Sequence, residues 1–281
     1  MGPGLIGGSL LRALRERNPE VSLSAWARRP ESVEELRSYP GLVDEASSDL
    51  NEAVAGAELV VLAMPTCHMG AVVSGIERFD PIDGQTVIVT DVGSVKGPVV
   101  REVGPLVLAR GGRFLGSHPM AGSEKKGLRH AEPDLFEGAA VILTPEEPGD
   151  PGEQQLTRFW CGLGGVVTSL PASRHDELVA GISHLPHLAA AALVRSVLSW
   201  EPGAAALSGG GFRDTTRVAG GPEEMWADIL TDNREAVMLR LAALVEELEI
   251  WRSALESFDR EALRDLLGEA RRLRATLPPS V

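Results

Sequence analysis

The sequence predicts an α/β fold with a doubly wound, Rossmann-type parallel sheet over residues 1–170, followed by an all-α domain over residues 171–281. Three observations carry this expectation. A GxGxxG turn, Gly2, Gly4 and Gly7, opens directly into a helical pattern with apolar residues at Leu5, Ile6, Leu10, Leu11 and Leu14. Short β-branched runs then alternate with helical stretches as far as Leu170, as in a sheet covered by helices on both faces. Beyond Leu170 the runs are long and helical, with no strand pattern.

Composition bounds the class. A chain of 281 residues exceeds the usual single-domain size, which favours two domains. Cys67 and Cys161 form neither a disulfide framework nor a metal-ligand spacing, so a reducing, cytoplasmic compartment is expected. A net charge of −13 argues against nucleic acid as a partner, and it means that an anionic substrate must find local arginines. No uninterrupted apolar run of about eighteen residues and no basic-then-apolar leader is present, so no membrane span is expected.

In chain order, the glycine turn suits a dinucleotide. Glycine permits the tight turn and close backbone approach to a pyrophosphate, and the helix that follows offers free N–H groups and a positive dipole end. A strand normally runs into the first glycine of such a turn, whereas here the chain opens at Met1; the expectation is that this first, central strand lies upstream of the given residues. Residues 21–26 (VSLSAW) read as the second strand. Its end normally carries an acid for the adenosine ribose, but the position is Ala27, and Arg28 and Arg29 follow before Pro30 starts a helix. Two guanidiniums without a carboxylate suit a 2′-phosphate and favour NADP over NAD, the alternative being two solvated surface arginines.

Residues 58–63 (ELVVLA) and 86–91 (TVIVTD) read as buried parallel strands, ending in the loops Met64-Pro65-Thr66 and 92–96 (VGSVK). Ser94 is placed either to bond a substrate hydroxyl or to cap the next helix. Further strands are expected at 113–115, 139–143 and 165–170, with a loop over 145–152. The stretch 116–127 (GSHPMAGSEKKG) holds His118 between small residues directly after the 113–115 strand. Ligands bind at the carboxyl ends of strands in such sheets, which makes His118 the candidate base. The loop between Gly122 and Gly127 carries Glu124, Lys125 and Lys126.

In the helical half, residues 176–200 place His184 and His187 on one helix face, with Pro186 bending the helix between them. No third ligand accompanies the two histidines, so a metal is not expected. A flexible glycine run over 208–217 (SGGGFRDTTR) delivers Arg213, Asp214 and Arg217, either to the carboxylates of a di-acid or into a salt bridge within the loop. A helix over 222–255, with Met225, Ile229, Val237, Leu241, Leu244, Leu248 and Trp251, is long enough to need a partner such as a second subunit. A final helix is expected over 259–273.

Together the motifs GPGLIGGS, DVGSVK (91–96), SHPMAGSEKKG (117–127), SHLPH (183–187) and GGGFRDTTR (209–217) resemble the prephenate and arogenate dehydrogenases of tyrosine biosynthesis over nearly the whole chain. The resemblance implies oxidative decarboxylation of prephenate or arogenate with hydride transfer to NAD(P), and a homodimer paired through the helical domains. It implies that His118 is the catalytic base and that Ser94 bonds the substrate's 4-hydroxyl and orients that histidine. Glu124, Ser183, His187 and Arg217 then surround the substrate, with Asp214 and Trp226 near the entrance to the site, and Arg213 from the glycine run is expected beside them. Gly2, Gly4, Leu5, Ile6, Gly7, Arg28, Arg29, Met64 and Thr66 are expected to hold the cofactor, and any inhibition by tyrosine is expected to be competitive at the active site. Two other classes fit less of the pattern: a β-hydroxyacid-type dehydrogenase, which needs a lysine where this chain has SHLPH, and a non-catalytic NADP-binding regulator.

Overall fold

The computed structural model describes residues 1–122, 125–147 and 149–277. Its N-terminal half alternates strand and helix: α1 (Leu5–Arg17), β1 (Ser24–Trp26), α2 (Pro30–Arg37), β2 (Glu45–Ser47), α3 (Leu50–Val54), β3 (Leu59–Leu62), α4 (Thr66–Ser74), β4 (Ile88–Asp91), α5 (Gly97–Leu108), β5 (Arg113–Phe114), β6 (Gly116–Pro119), β7 (Ala140–Thr144), α6 (Pro151–Gly162) and β8 (Val166–Ser169). The order β3-β4-β5 is parallel throughout, β1 pairs with β2 in parallel, and β7 pairs with β8 in parallel but with β6 antiparallel. The Rossmann-type parallel layering expected from the sequence is therefore present. Most strands are shorter than their apolar runs, and β2, with the weak pattern Glu-Ala-Ser, had no expectation.

β4 shows how the sheet is held. Its successive side chains point to opposite faces, as the strand repeat requires. Val89 joins Leu62, Met69, Val73, Val99, Val103 and Val107 on the side of α4 and α5. Ile88 joins Leu10, Phe136, Leu143, Leu156 and Trp160 on the side of α1 and α6. Burial on both faces is why these strands read as continuous apolar runs.

Between β1 and β3 the sheet is bridged by Met1 and Gly2. The Gly2 N–H donates to Trp26 O at 3.1 Å and the Ala63 N–H donates to Met1 O at 2.8 Å. The Met1 nitrogen donates to Val61 O at 2.7 Å. These two residues thus occupy the ladder position at which a central strand would end.

The C-terminal half is helical: α7 (Ala172–Val179), a π-helical turn (Ala180–His184), α8 (Leu185–Trp200), α9 (Ala204–Leu207), α10 (Gly210–Thr216), a 3₁₀ turn (Arg217–Gly220), α11 (Glu223–Asp232), α12 (Arg234–Glu256) and α13 (Arg260–Arg274). Three expectations are corrected here. The helix expected over 176–200 starts at Ala172 and contains a π turn, which ends at His184, two residues before Pro186 in the first turn of α8. The glycine run expected to be a flexible loop is the helix α10 and its 3₁₀ extension, both packed against α8. The helix expected over 222–255 is divided at Asn233, whose side-chain amide is turned inward to Asp176 O and the His184 ring.

The span Ala172–Trp200, with a mean hydropathy of 1.4, is long and apolar enough to cross a membrane, which the sequence expectation did not anticipate. Within the fold its His175, Asp176, His184 and His187 are buried and it packs against α5 and α12, while Ile182 and Trp200 are exposed.

The glycine turn yields a direct test. Gly2 has φ +86°, and a Cβ on Gly7 would lie 2.2 Å from Gly2 O, whereas a Cβ on Gly4 would meet nothing within 4 Å. Urea denaturation should show Gly7→Ala losing about 1–3 kcal/mol from overpacking and Gly4→Ala less than about 0.5 kcal/mol. Equal losses would contradict this geometry.

Candidate active site

His118 does not follow a strand; it lies within one. Leu115 N–H still donates to Val89 O at 2.9 Å, after which the chain crosses to β7 and places His118 opposite Ile142 in an antiparallel pair. Gly116 makes the crossing possible, since a Cβ there would lie 2.5 Å from Thr144 Oγ1. The Ser117 hydroxyl donates to Asp91 O at 2.6 Å and accepts from Thr90 Oγ1 at 3.0 Å, fixing β6 beside the end of β4. Small and imino residues on either side of His118 hide this strand from a pattern of β-branched runs.

The His118 side chain, 7% exposed, is held from the helical half. Its Nδ1 is 2.8 Å from His175 Nε2, and His175 Nδ1 is 2.8 Å from Asp176 Oδ1. The Asp176 carboxylate also accepts the backbone N–H groups of Lys96 and Gly97, each at 2.8 Å. These groups open α5, which has no cap from its own N-terminal residues. The capping role open to Ser94 is therefore filled by Asp176, about eighty positions along the chain. Asn233 Nδ2 donates to Asp176 O at 2.8 Å and lies 3.1 Å from His184 Nδ1, which fixes the backbone behind the carboxylate.

Beneath this row lies a fully buried ion pair. Lys96 Nζ contacts Asp91 Oδ2 and donates to Ser117 O at 2.9 Å, and Asp91 Oδ2 also accepts Gly93 N–H at 2.8 Å.

The electrostatics follow from burial. Desolvation first, then the Lys96 ammonium and the neighbouring His175 and His184 rings, which oppose a second positive charge, push His118 well below the ordinary imidazole range, so it is neutral at pH 7. Burial also lowers His184, to about 4, and lowers His187. Burial pushes Asp176 upward, but the bonds from His175, Lys96 N–H and Gly97 N–H outweigh it and hold the carboxyl below its usual value. The Lys96 ammonium is lowered by burial, with Asp91 and Asp176 opposing.

The other expected site residues fall in three places. His187 stacks on Trp226, with ring centroids 3.6 Å apart and planes 11° from parallel, beside Gly221 and the 3₁₀ turn that begins with Arg217. Ser183 is half-buried in the π turn, and Ser94 is half-buried in the loop that leads to Lys96. Arg213, Asp214 and Arg217 are exposed, and among the described residues none forms an ion pair, so the salt bridge within this segment is not made. Glu124 lies outside the described residues.

On the cofactor side, Gly2, Gly4, Leu5, Ile6 and Gly7 form the turn and the uncapped start of α1. Ala27 is buried with its N–H on Ser47 O at 3.2 Å, while Arg28 and Arg29 are exposed, Arg29 reaching Ser32 Oγ at 3.4 Å. Met64 packs against the α4–α5 core, and Thr66 Oγ1 donates to Asp232 Oδ2 at 2.6 Å, joining the start of α4 to α11.

Sequence reasoning missed His175, Asp176, Lys96 and Asn233 as members of this cluster. The available signal was His-Asp together inside a helix with an otherwise apolar face, and a lysine closing DVGSVK.

A glycine turn beside parallel strands, a neutral histidine on β6 next to the end of β4, and a helical half that completes the site are the features of a nucleotide-dependent oxidoreductase. Residues 10–169 match the family model described as "Prephenate dehydrogenase, nucleotide-binding domain", and residues 171–269 match "Prephenate dehydrogenase, dimerization domain". The cyclohexadienyl dehydrogenase of Zymomonas mobilis is 32% identical over 283 residues, covering 99% of this chain and 94% of that protein. The structure of prephenate dehydrogenase from A. aeolicus in complex with hydroxyphenyl propionate and NAD+ is similar at a TM-score of 0.85 and 31% identity, covering 98% of this chain and 95% of the other. The Synechocystis arogenate dehydrogenase structure is similar at 0.79 and 30%, covering 98% and 97%. The chain belongs to the prephenate/arogenate dehydrogenase family.

The ion pair supplies the site's own test. Lys96→Met leaves the Asp91 charge buried without its partner and should cost about 3–5 kcal/mol in denaturant unfolding. Adding Asp91→Leu should recover part of that loss. A single variant as stable as the parent would place Lys96 in water, contrary to its full burial.

Proposed function

We propose that the protein carries out oxidative decarboxylation of prephenate or arogenate with NADP, taking the proton of the substrate's 4-hydroxyl on His118. The observation that carries this reading is a buried histidine kept neutral by its surroundings and hydrogen-bonded through one ring nitrogen, which leaves the other to act as base. When bound, the nicotinamide cofactor supplies the hydride acceptor. As hydride leaves C4, His118 accepts the hydroxyl proton and C4 becomes a carbonyl. The bond from the ring to its carboxylate then breaks, carbon dioxide departs, and the electron pair restores the aromatic ring; the oxygen on C4 takes a proton back from His118.

Ser94, in the loop that leads to Lys96, is assigned to the 4-hydroxyl. Arg217, whose guanidinium has no ion-pair partner among the described residues, is assigned with Arg213 to the substrate carboxylates. Glu124, Ser183 and His187 are assigned to the substrate as well, and Asp214 and Trp226 to the entrance of the site. Tyrosine shares the product's ring and carboxylate and would compete for the same groups. The β-hydroxyacid alternative loses ground because α7, the π turn and α8 contain no lysine.

The cofactor residues fit a dinucleotide by the shape of the turn. Gly2 is in the left-handed region, Gly7 leaves no room for a Cβ, and α1 starts without a side-chain cap or an acid in its first turn, leaving N–H groups for a pyrophosphate. Exposed Arg28 and Arg29 after a buried Ala27 support NADP over NAD, and Met64 and Thr66 are assigned to the nicotinamide side. The domain boundary is placed near Leu170. A homodimer is supported by the exposed Met238, Leu239, Val245, Leu248 and Ile250 along α12. A cytoplasmic location agrees with two exposed, unpaired cysteines.

Two measurements test this. His118→Asn should keep KM for prephenate near the parent value and lower kcat by about 10²- to 10⁴-fold; unchanged turnover would remove His118 from the reaction. Replacing both Arg28 and Arg29 with alanine should lower kcat/KM for NADP about tenfold or more beyond any loss with NAD. Equal losses with the two cofactors would assign these arginines elsewhere and favour NAD.

A further inference from the structure

The proposed base can work only in one of its two neutral forms, and the structure contains a row of groups that selects between them. A neutral imidazole carries its proton on Nδ1 or on Nε2, and the partner of one nitrogen decides the chemistry of the other. Here Nδ1 of His118 is 2.8 Å from Nε2 of His175, and Nδ1 of His175 is 2.8 Å from Oδ1 of Asp176. An ionised carboxylate accepts hydrogen bonds and donates none, so His175 must present Nδ1–H to it and keep a lone pair on Nε2. That lone pair accepts Nδ1–H from His118. The proton on His118 is thereby fixed on Nδ1, and its Nε2 is the basic nitrogen.

The carboxylate at the end of this row is itself held ionised and in place. It accepts the N–H groups of Lys96 and Gly97 at the N-terminus of α5, a twelve-residue helix whose dipole favours negative charge there. Asn233 grips the Asp176 carbonyl from the start of α12. The row therefore spans the molecule's two halves: the base stands on β6, and the groups that orient it stand on α7.

We propose that His175 and Asp176 are positioning residues that set the tautomer of His118, so that docking of α7 onto the start of α5 makes the histidine a base. This inference rests on the assignment of His118 as the proton acceptor. It predicts that an asparagine at 176 would reverse the row. Its amide could donate to His175 Nδ1, His175 would then donate from Nε2 to His118 Nδ1, and Nε2 of His118 would carry the proton. The same reversal in a Ser-His-Asp triad, with the carboxylate changed to asparagine, lowers turnover by about 10⁴.

The test compares His175→Gln, His175→Leu and Asp176→Asn with the parent protein, using prephenate and both cofactors. A glutamine carbonyl can still accept Nδ1–H from His118, whereas leucine cannot, and both fill much of the same space. His175→Leu should lower kcat about 10²-fold or more and His175→Gln at least about tenfold less, with KM for prephenate within about threefold of the parent in each. Asp176→Asn should lose at least as much turnover as His175→Leu. Thermal melting with bound cofactor reports folding separately: a glutamine variant that melts like the leucine variant yet turns over faster supports tautomer control. Equal kcat for the glutamine and leucine variants, or losses confined to KM, would overturn the proposal. His118→Asn, measured alongside, separates the two levels. If it turns over normally, the base assignment fails; if it is inactive while the His175 and Asp176 variants remain at parental rate, only the positioning role fails.

Discussion

The arrangement depends on one carboxylate placed at one helix end. Asp176 accepts two backbone N–H groups that α5 cannot satisfy from its own sequence, and with its other lone pairs it holds His175. Uncapped N–H groups buried without partners cost free energy, so α7 is drawn to this position by the same requirement that orients the histidine row. Because α5 follows β4 and α7 follows β8, the contact locks the end of the sheet to the first helix of the helical half. The geometry of the site is thus a by-product of completing a helix.

Around this contact the protein keeps an unusual density of buried polar groups. Thr90, Asp91, Lys96, Ser117, His118, His175, Asp176, His184, His187 and Asn233 are all buried. Buried charges rarely add stability over apolar replacements, and breaking such a pair is costly. Lys96 and Asp91 are better understood through what their fields and bonds do. The lysine anchors the Ser117 carbonyl one residue before His118 and opposes a positive charge on that ring.

Much of this was legible in the sequence and some was not, for physical reasons. The glycine turn, the helix from Pro30 and the runs that became β3, β4 and β7 declare themselves through local rules: φ preferences, a fixed proline and β-branching. β6 did not, because Gly116, Ser117 and Pro119 are poor strand formers whose placement is set by Thr144 and Asp91 on other strands. The long helix was read through Asn233, since a single polar residue does not break a periodicity; its inward hydrogen bonds do. His118 was found because it sits in a distinctive run of small residues. His175 and Asp176 were passed over because their meaning lies in N–H groups some eighty residues away, which no local pattern reports.

His118, the proposed base, is neutral in the free protein, its charged form disfavoured by burial and by Lys96, His175 and His184. The pH dependence of kcat/KM for prephenate reads the ionisation of the free enzyme directly. With the base active only when deprotonated, kcat/KM should rise with pH through an inflection clearly below about 6.5, the ordinary imidazole value, and stay level across neutrality. An acid limb centred at or above that value would show that His118 titrates as an exposed histidine, and would contradict the account.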